Sequence, residues 1–488
     1  MDLLRETILI LSGLTFKQEN VSETLLSILQ RCHKELPDDV TARLEPFYKL
    51  NTNIITINEC DFTEDLDSIK ILSSDEKKSQ SNSWILFAEI KNHKVALKLA
   101  FEPFVSETKE QAKDVTAQAN KSLTEPSSEN KSTKVVTSQS NEDNSLEIER
   151  LIYRKILNQL IMCGHTPHVV VYFGEILCNN FVDVLNKNLA QNDEIMLKLA
   201  HQLRVSEEIN PNDNPMPPPF KSDSDELSPL YDINQMRALI SEKLIGETFA
   251  SLLKQYSVHT PKSMQKRVFE QIYLPILAQV FYTLAVFSDV GLVHNDLHAN
   301  NIYVQKYETS IENCYLIGGK FYKIDSEYQS RIYDFDRGAK SATKYNELQL
   351  ENTLLKEYCK SFGQCKEVDE RREIFTICFF AYLLNKQKNT YLDSFLKKIV
   401  PVDLLERKST GDIPKNSAEP ENTLAWYGRL CACQEKSCST CSLINDTRIK
   451  TVKEIFDLQE MKQFSVEASV AEKLFIWTLP SEAAENFV

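Results

Sequence analysis

Gly291-Leu292-Val293-His294-Asn295-Asp296-Leu297-His298-Ala299-Asn300-Asn301 runs into the apolar Ile302-Tyr303-Val304, and further on comes Ile332-Tyr333-Asp334-Phe335-Asp336. A bare Asp-x-x-x-x-Asn is common by chance. The whole string, followed by a strand that leads into a second acid, is not. Asp296 can accept a hydrogen bond from an attacking hydroxyl and take its proton late in the reaction. Asn301 offers a neutral oxygen and Asp334 a charged one, a pair that suits a hard cation. These three residues set the reading of everything around them.

Composition bounds the possibilities. The chain has 488 residues, 42 % of them apolar, enough for two domains or for one two-lobed enzyme with insertions. A net charge of −14 argues against a general nucleic-acid binder, because no basic surplus exists to neutralise phosphates, and leaves room only for a local basic patch. Twelve cysteines in so long a chain do not describe a secreted disulfide scaffold. The apolar run at residues 7–14 lacks a basic flank and a cleavage site and reads as a packed helix, not a signal peptide. No stretch approaches the ~18 apolar residues of a membrane span. A soluble protein in a reducing compartment is expected, in the cytoplasm or, for a viral chain, the host cytoplasm or virion, with the nucleus open as well.

Along the chain the pattern changes several times. Residues 1–50 have helical spacing, with Pro37 closing the segment around Leu25–Leu36. Strand-like runs follow at 54–57, 69–72, 84–90 and 95–101, the last two joined by a turn at Asn92. Residues 105–145 and 205–229 are polar insertions expected to be disordered. Between them lie a helix at about 145–163, a buried strand at 169–177, and, beyond the second insertion, a strand at 237–240. A long apolar helix from Ser263 to Asp289 leads into the opening stretch, and helical patterns dominate after Asp336. The extra segment between Val304 and Arg331 carries a Gly318-Gly319 hairpin. The expected division is 1–50, a helical extension; 51–245, a small mixed lobe; and 246–488, a larger helical lobe with a Cys-rich segment at 431–441.

Other residues join the chemistry by position. Period-2 alternation puts Val95, Leu97 and Leu99 on one strand face and Ala96, Lys98 and Ala100 on the other, so Lys98 has room beside it for a bulky anion. A surface lysine on a half-solvated strand is the plain alternative. Glu149 lies on the apolar face with Tyr153, Ile156 and Leu160, whereas Glu147 points with Leu151 and Arg154; Glu149 is the better partner for a strand lysine. No glycine occurs between Gly13 and Gly164, and the turn before Trp84 is Ser/Asn-rich, so a glycine-rich phosphate cradle is missing. Cys431, Cys433, Cys438 and Cys441 have spacing close to a zinc knuckle, a structural Zn2+ site whose bland alternative is four unrelated thiols. Asp369, before an apolar helix, is placed either to anchor the catalytic loop or merely to cap that helix. His165 and His168 read as core or turn residues.

Leu292–Asn301 resembles the catalytic loop of protein-kinase-like enzymes, and among them is most similar to the serine/threonine kinases of large DNA viruses. Haspin and the aminoglycoside and choline kinases are more distant look-alikes. The resemblance runs from about Trp84 to Leu384, outside the two insertions. It implies an α+β, two-lobed fold: a small antiparallel-sheet lobe with one key helix, and a larger, mainly helical lobe. It implies ATP with Mg2+ or Mn2+, and γ-phosphoryl transfer to Ser/Thr of a protein substrate. By position it implies Asp296 as the catalytic aspartate, Lys98 and Glu149 as the strand–helix pair, and Asn301 and Asp334 as metal ligands. Ser241–Ile245, with Glu242 and Leu244, becomes the hinge along which adenine lies.

Departures from the family pattern are informative. His298 stands where most protein kinases have lysine, as in the small-molecule kinases. Asp336 replaces a glycine and puts a second acid near the metal. Asn295 replaces an arginine that commonly clamps a phosphorylated loop, which implies no activation by loop phosphorylation. No Ala-Pro-Glu follows Asp334. A small-molecule kinase and a pseudokinase scaffold are therefore the rival readings.

Overall fold

The computed structural model describes residues 36–49, 55–57, 69–74, 83–90, 92–103, 145–178, 181–190, 231–343, 348–351, 368–385, 388–406 and 447–485, with a few positions between 194 and 200. The two polar insertions, most of the N-terminal helical pattern, the turn at residues 75–82 and the Cys-rich segment lie outside these. The architecture is mixed helix and largely antiparallel sheet. By contacts the chain forms two compact units: Ile54–Glu142 with Glu175–Ile240, and Met1–Asn53 with Asp143–Gly174 and Ser241–Val488.

The smaller unit is built on a sheet. Its strands are β1 (Ile55–Ile57), β2 (Ile69–Ser74), β3 (Ser83–Ile90), β4 (His93–Pro103), β5 (Tyr172–Cys178) and β6 (Tyr231–Glu242), in the order β1-β5-β6-β4-β3-β2. β2, β3 and β4 form an antiparallel meander, while β1 runs parallel to β5. Asn92, at φ 66°, makes the tight turn from β3 to β4, a left-handed position that asparagine tolerates. Trp84, Leu86, Ala88 and Ile90 are buried, as are Val95, Leu97 and Leu99, which is the alternation expected of a sheet with one face covered. Phe101 joins that core against Trp84 and against Phe181 of a helix over Phe181–Ala190.

The larger unit begins with α1 (Asp38–Lys49). Pro37 opens this helix: its carbonyl accepts the amides of Val40 and Thr41, and two aspartates occupy the first turn; the segment before it that Pro37 was expected to close lies outside the described residues. Next comes α2, which starts as Ser145–Ile152, widens into a π-helical turn at Tyr153–Leu157, and ends with Asn158–Met162. Expected with the sheet, α2 clusters with the larger unit. β7 (Glu247–Thr248) and α3 (Phe249–His259) then precede α4 (Leu274–Val290).

Nearly every residue of α4 is buried, and the left-handed Gly291 ends it. The helical run Lys262–Val290 is long and apolar enough by length and composition to cross a membrane, contrary to the expectation that no stretch would be, yet 83 % of its apolar window is buried within the protein. It is a core helix.

After α4 come β8 (Leu292–Val293) and the long hairpin of β9 (Ile302–Ile317) and β10 (Lys320–Ile332), turning at Gly318-Gly319 with both glycines at positive φ. β11 (Ala339–Lys340), α5 (Glu370–Asn385), α6 (Thr390–Ile399), β12 (Ser465–Val466) and β13 (Ile476–Thr478) complete the site's surroundings. The hairpin is the centre of a second sheet, β12-β10-β9-β13, with β7 also on β9. The C-terminal part is thus less helical than its pattern suggested. β12 and β13 are two and three residues long and exist because the hairpin offers them edges, which local periodicity does not reveal.

Cys163 and Cys178 are each disulfide-bonded, a departure from the reduced thiols expected, because spacing in sequence does not show which thiols the fold juxtaposes. Cys314 and Cys378 are free and buried, and burial pushes the Cys314 thiol up to about 11.

Candidate active site

Register in the hairpin brings the key residues to one place. Ile302, the first residue of β9, pairs with Ile332, the last of β10. Asn301 and Asp334 therefore emerge at the same end of one ladder, although 33 residues separate them in the chain. Two further bonds tie the ends: the Tyr333 amide donates to the Asn301 carbonyl at 3.2 Å, and the Tyr333 hydroxyl donates to the Asn300 carbonyl at 2.7 Å.

The loop before Asn301 is held by its own side chains. His294 is fully buried; its Nε2 donates to the Tyr333 carbonyl at 2.9 Å and its Nδ1 accepts the Asp296 amide at 3.2 Å, which fixes one tautomer. Asn301 Nδ2 donates to the Asp296 carbonyl at 2.9 Å. With the amide nitrogen committed there, Oδ1 is the atom that remains for a cation. His298 caps the short 3-10 turn Ala299–Asn301 by accepting the Asn300 amide on Nδ1. Its Nε2, the proton-bearing nitrogen, then lies 3.8 Å from Asp296 Oδ2, while Arg337 lies 3.8 Å from Asp296 Oδ1 on the other side.

Asn295 is the hub beneath this loop. It sits at φ 65°, a conformation that costs most residues about 1 kcal/mol and asparagine less. Its amide donates to Glu373 Oε1 at 3.0 Å, its Nδ2 donates to the Arg337 carbonyl at 3.0 Å, and its Oδ1 accepts from the buried Arg372. Glu373 and Arg372 both come from the first turns of α5. Asp369, considered as the anchor, instead accepts the Arg371 amide at 2.8 Å and caps α5; burial raises its carboxyl above the usual range. The anchoring role falls to Glu373, one helical turn further on.

Asp334 also has positive φ, 71°, and its amide donates to the Tyr153 hydroxyl at 2.9 Å. Phe335, fully buried, packs on Tyr153, Phe287 and His294 with centroid distances of 5.8, 5.7 and 4.5 Å. Tyr153 is the first residue of the π-helical turn of α2. Gly338 closes the turn by donating to the Phe335 carbonyl; a Cβ there would come within 2.6 Å of Ile152. Glu149 is fully buried on α2, whereas Glu147 pairs with Arg150 at the surface, so the choice between them follows the faces read from the sequence. Asp336 is half-buried two residues beyond Asp334.

In the smaller unit Lys98 lies on β4, the third strand of the meander, opposite Ile85 and half-buried among its alternating neighbours. In the linker after β6, Leu244 is half-buried and Ile245 is 65 % exposed. The Glu242 carboxylate is committed to Arg43 and to the Val171 amide. Cys431, Cys433, Cys438 and Cys441 lie outside the described residues. Among the described residues no three or more His, Cys, Asp or Glu converge in the manner of an all-protein metal cage.

Three residues escaped the sequence reading, Arg337, Arg372 and Glu373, and Tyr153 was read only as part of an apolar helix face. Only Arg337 carried a signal, its place directly after Asp-Phe-Asp. No family model matches the chain, and no curated protein matches it.

Proposed function

We propose that the protein is a kinase of the protein-kinase-like type, transferring the γ-phosphoryl group of ATP to Ser/Thr hydroxyls of a protein. The observation that carries this reading is the hairpin register Ile302↔Ile332, which sets Asn301 and Asp334 side by side next to the loop that holds Asp296. The finer fold description, a sheet lobe bearing Lys98 and a larger lobe bearing the loop, is part of the proposal. It is supported by a lysine on the third strand of a meander, with the glutamate-bearing helix next in sequence.

The donor set fits magnesium. One amide oxygen and one carboxylate are hard ligands, and Mg2+ on a nucleotide takes one or two carboxylates, with phosphate oxygens and water completing its shell. An all-protein cage of three acids is not required. Asn301 and Asp334 would hold the ion, with Asp336 nearby, and the ion would neutralise charge on the phosphates. Asp296 orients the acceptor hydroxyl; as the new O–P bond forms and the bond to ADP breaks, the hydroxyl proton passes to its carboxylate. Lys98 would bind the α- and β-phosphates, the role the resemblance implies for it. The missing glycine-rich turn argues for slow turnover and leaves these groups untouched.

The test is transfer from γ-labelled ATP to casein-like protein and, in parallel, to small alcohols such as choline or aminoglycosides. Label entering protein is expected, with a loss on the order of 10²-fold (~3 kcal/mol) in Asp296→Ala. Label entering only the small alcohols would move the assignment to a small-molecule kinase, and no transfer with any acceptor would leave a scaffold.

A further inference from the structure

We propose that Arg43, in α1, is a positioning residue for the nucleotide: one guanidinium braces the linker Ser241–Ile245 and the segment that bridges the end of β10, the strand that leads to Asp334. The inference rests on the kinase reading and assigns the N-terminal extension a part in it.

Arg43 makes four hydrogen bonds. Its Nε donates to Glu242 Oε2 at 2.9 Å and one terminal nitrogen to Glu242 Oε1 at 2.6 Å; the terminal nitrogens also reach the carbonyls of Pro167 and Val169, both at 2.7 Å. Glu242 is the last residue of β6 and the first to lead into the linker. Its Oε1 accepts the Val171 amide, and its own amide donates to the Val171 carbonyl, both at 2.9 Å. Val169 bridges Ile332, whose amide donates to the His168 carbonyl at 2.9 Å. Two residues past Ile332 is Asp334.

Beside the direct Glu242–Val171 bonds, a second path from the linker toward Asp334 therefore passes through one side chain brought by α1. Both partners are largely buried, with side-chain exposures of 10 % and 12 %. Burial pushes the Glu242 carboxyl up, but Arg43 outweighs it and holds the group below its ordinary range. Arg331, also buried, adds a second cation beside Arg43; burial and that neighbour lower it to about 10. Glu242 therefore faces two guanidinium groups, with Asp39 and Tyr307 as the other groups near them. A lysine at position 43 keeps the charge but not the planar fork that reaches the carboxylate and two carbonyls together.

The experiment measures MgADP affinity by calorimetric titration on the full chain, below the melting temperature of every variant. The variants are Arg43→Lys, Glu242→Gln, and Trp477→Phe as a destabilised control on β13. Arg43→Lys and Glu242→Gln are expected to weaken MgADP about tenfold, and Trp477→Phe to stay within about twofold while still lowering the melting temperature. In turnover the loss should fall on KM for ATP more than on kcat. Wild-type affinity in both Arg43→Lys and Glu242→Gln, or an equal loss in Trp477→Phe, would overturn the inference alone. A wild type that binds no MgADP would overturn the kinase reading with it.

Discussion

Among the described residues of the larger unit, two that are not glycine adopt left-handed backbone, Asn295 and Asp334, and both belong to the candidate site. Strain of this kind persists only where neighbours over-determine it. For Asn295 these are Glu373, Arg372 and the Arg337 carbonyl. Because that network already ties the loop to the segment after Asp334, no phosphate is needed to order it. Phosphatase treatment should leave activity unchanged, and a loss of activity on treatment would contradict the arrangement.

Lys340 supplies a pH test. It is buried on β11, its Nζ donates to the Ser341 carbonyl, and burial lowers it to about 8 from the ordinary 10.5. A depressed ammonium penalises the folded state fully below about 8, and the penalty fades as pH rises towards 10.5. Lys340→Met should therefore stabilise the protein at pH 7, on the order of 2 kcal/mol, and give no gain near pH 10.5 in thermal unfolding. At this scale the placement of Asn301 and Asp334 at one end of the hairpin, with Asp296 in the adjoining loop, was legible in their spacing and in the strand between them. Glu373 was not: Asp369 and Glu373 are both acids at the start of one helix, and only the packed angle of α5 decides which meets Asn295.

Element-scale behaviour turns on two devices. α2 carries a π-helical turn that opens at Tyr153, whose hydroxyl accepts the Asp334 amide. The apolar face was readable; the extra residue in the turn was not, since periodicity alone does not mark it. The hairpin was readable in its Gly318-Gly319 turn but not in its length or in the short strands recruited to its edges.

Two glycines separate close approach from turn geometry. At Gly246 a Cβ would lie 2.2 Å from the Val304 carbonyl oxygen, whereas at Gly319 nothing lies within 4 Å. Gly319→Ala should cost about 1 kcal/mol, from its left-handed backbone alone. Gly246→Ala should cost on the order of 3 kcal/mol and part β7 from β9. Equal melting temperatures for the two variants would contradict this account of the linker's docking.

At the scale of the molecule, each compact unit carries part of the proposed machinery: Lys98 on the sheet, and Glu149, Asp296, Asn301 and Asp334 in the larger unit. The order of strands and helices was largely visible in the sequence, because alternation and helical spacing are local. The partition was less so: α2 belongs by its contacts to the larger unit, since Tyr153 and Ile152 pack on Phe335 and Gly338. The most direct test of the central claim is the metal dependence of nucleotide binding in the wild type, Asp334→Asn and Lys98→Met. ADP affinity should rise at least about tenfold with Mg2+ in the wild type, lose that gain in Asp334→Asn, and be weak with or without the ion in Lys98→Met. Wild-type affinity for ADP that is the same with and without Mg2+, or an unaltered response in Asp334→Asn, would contradict it.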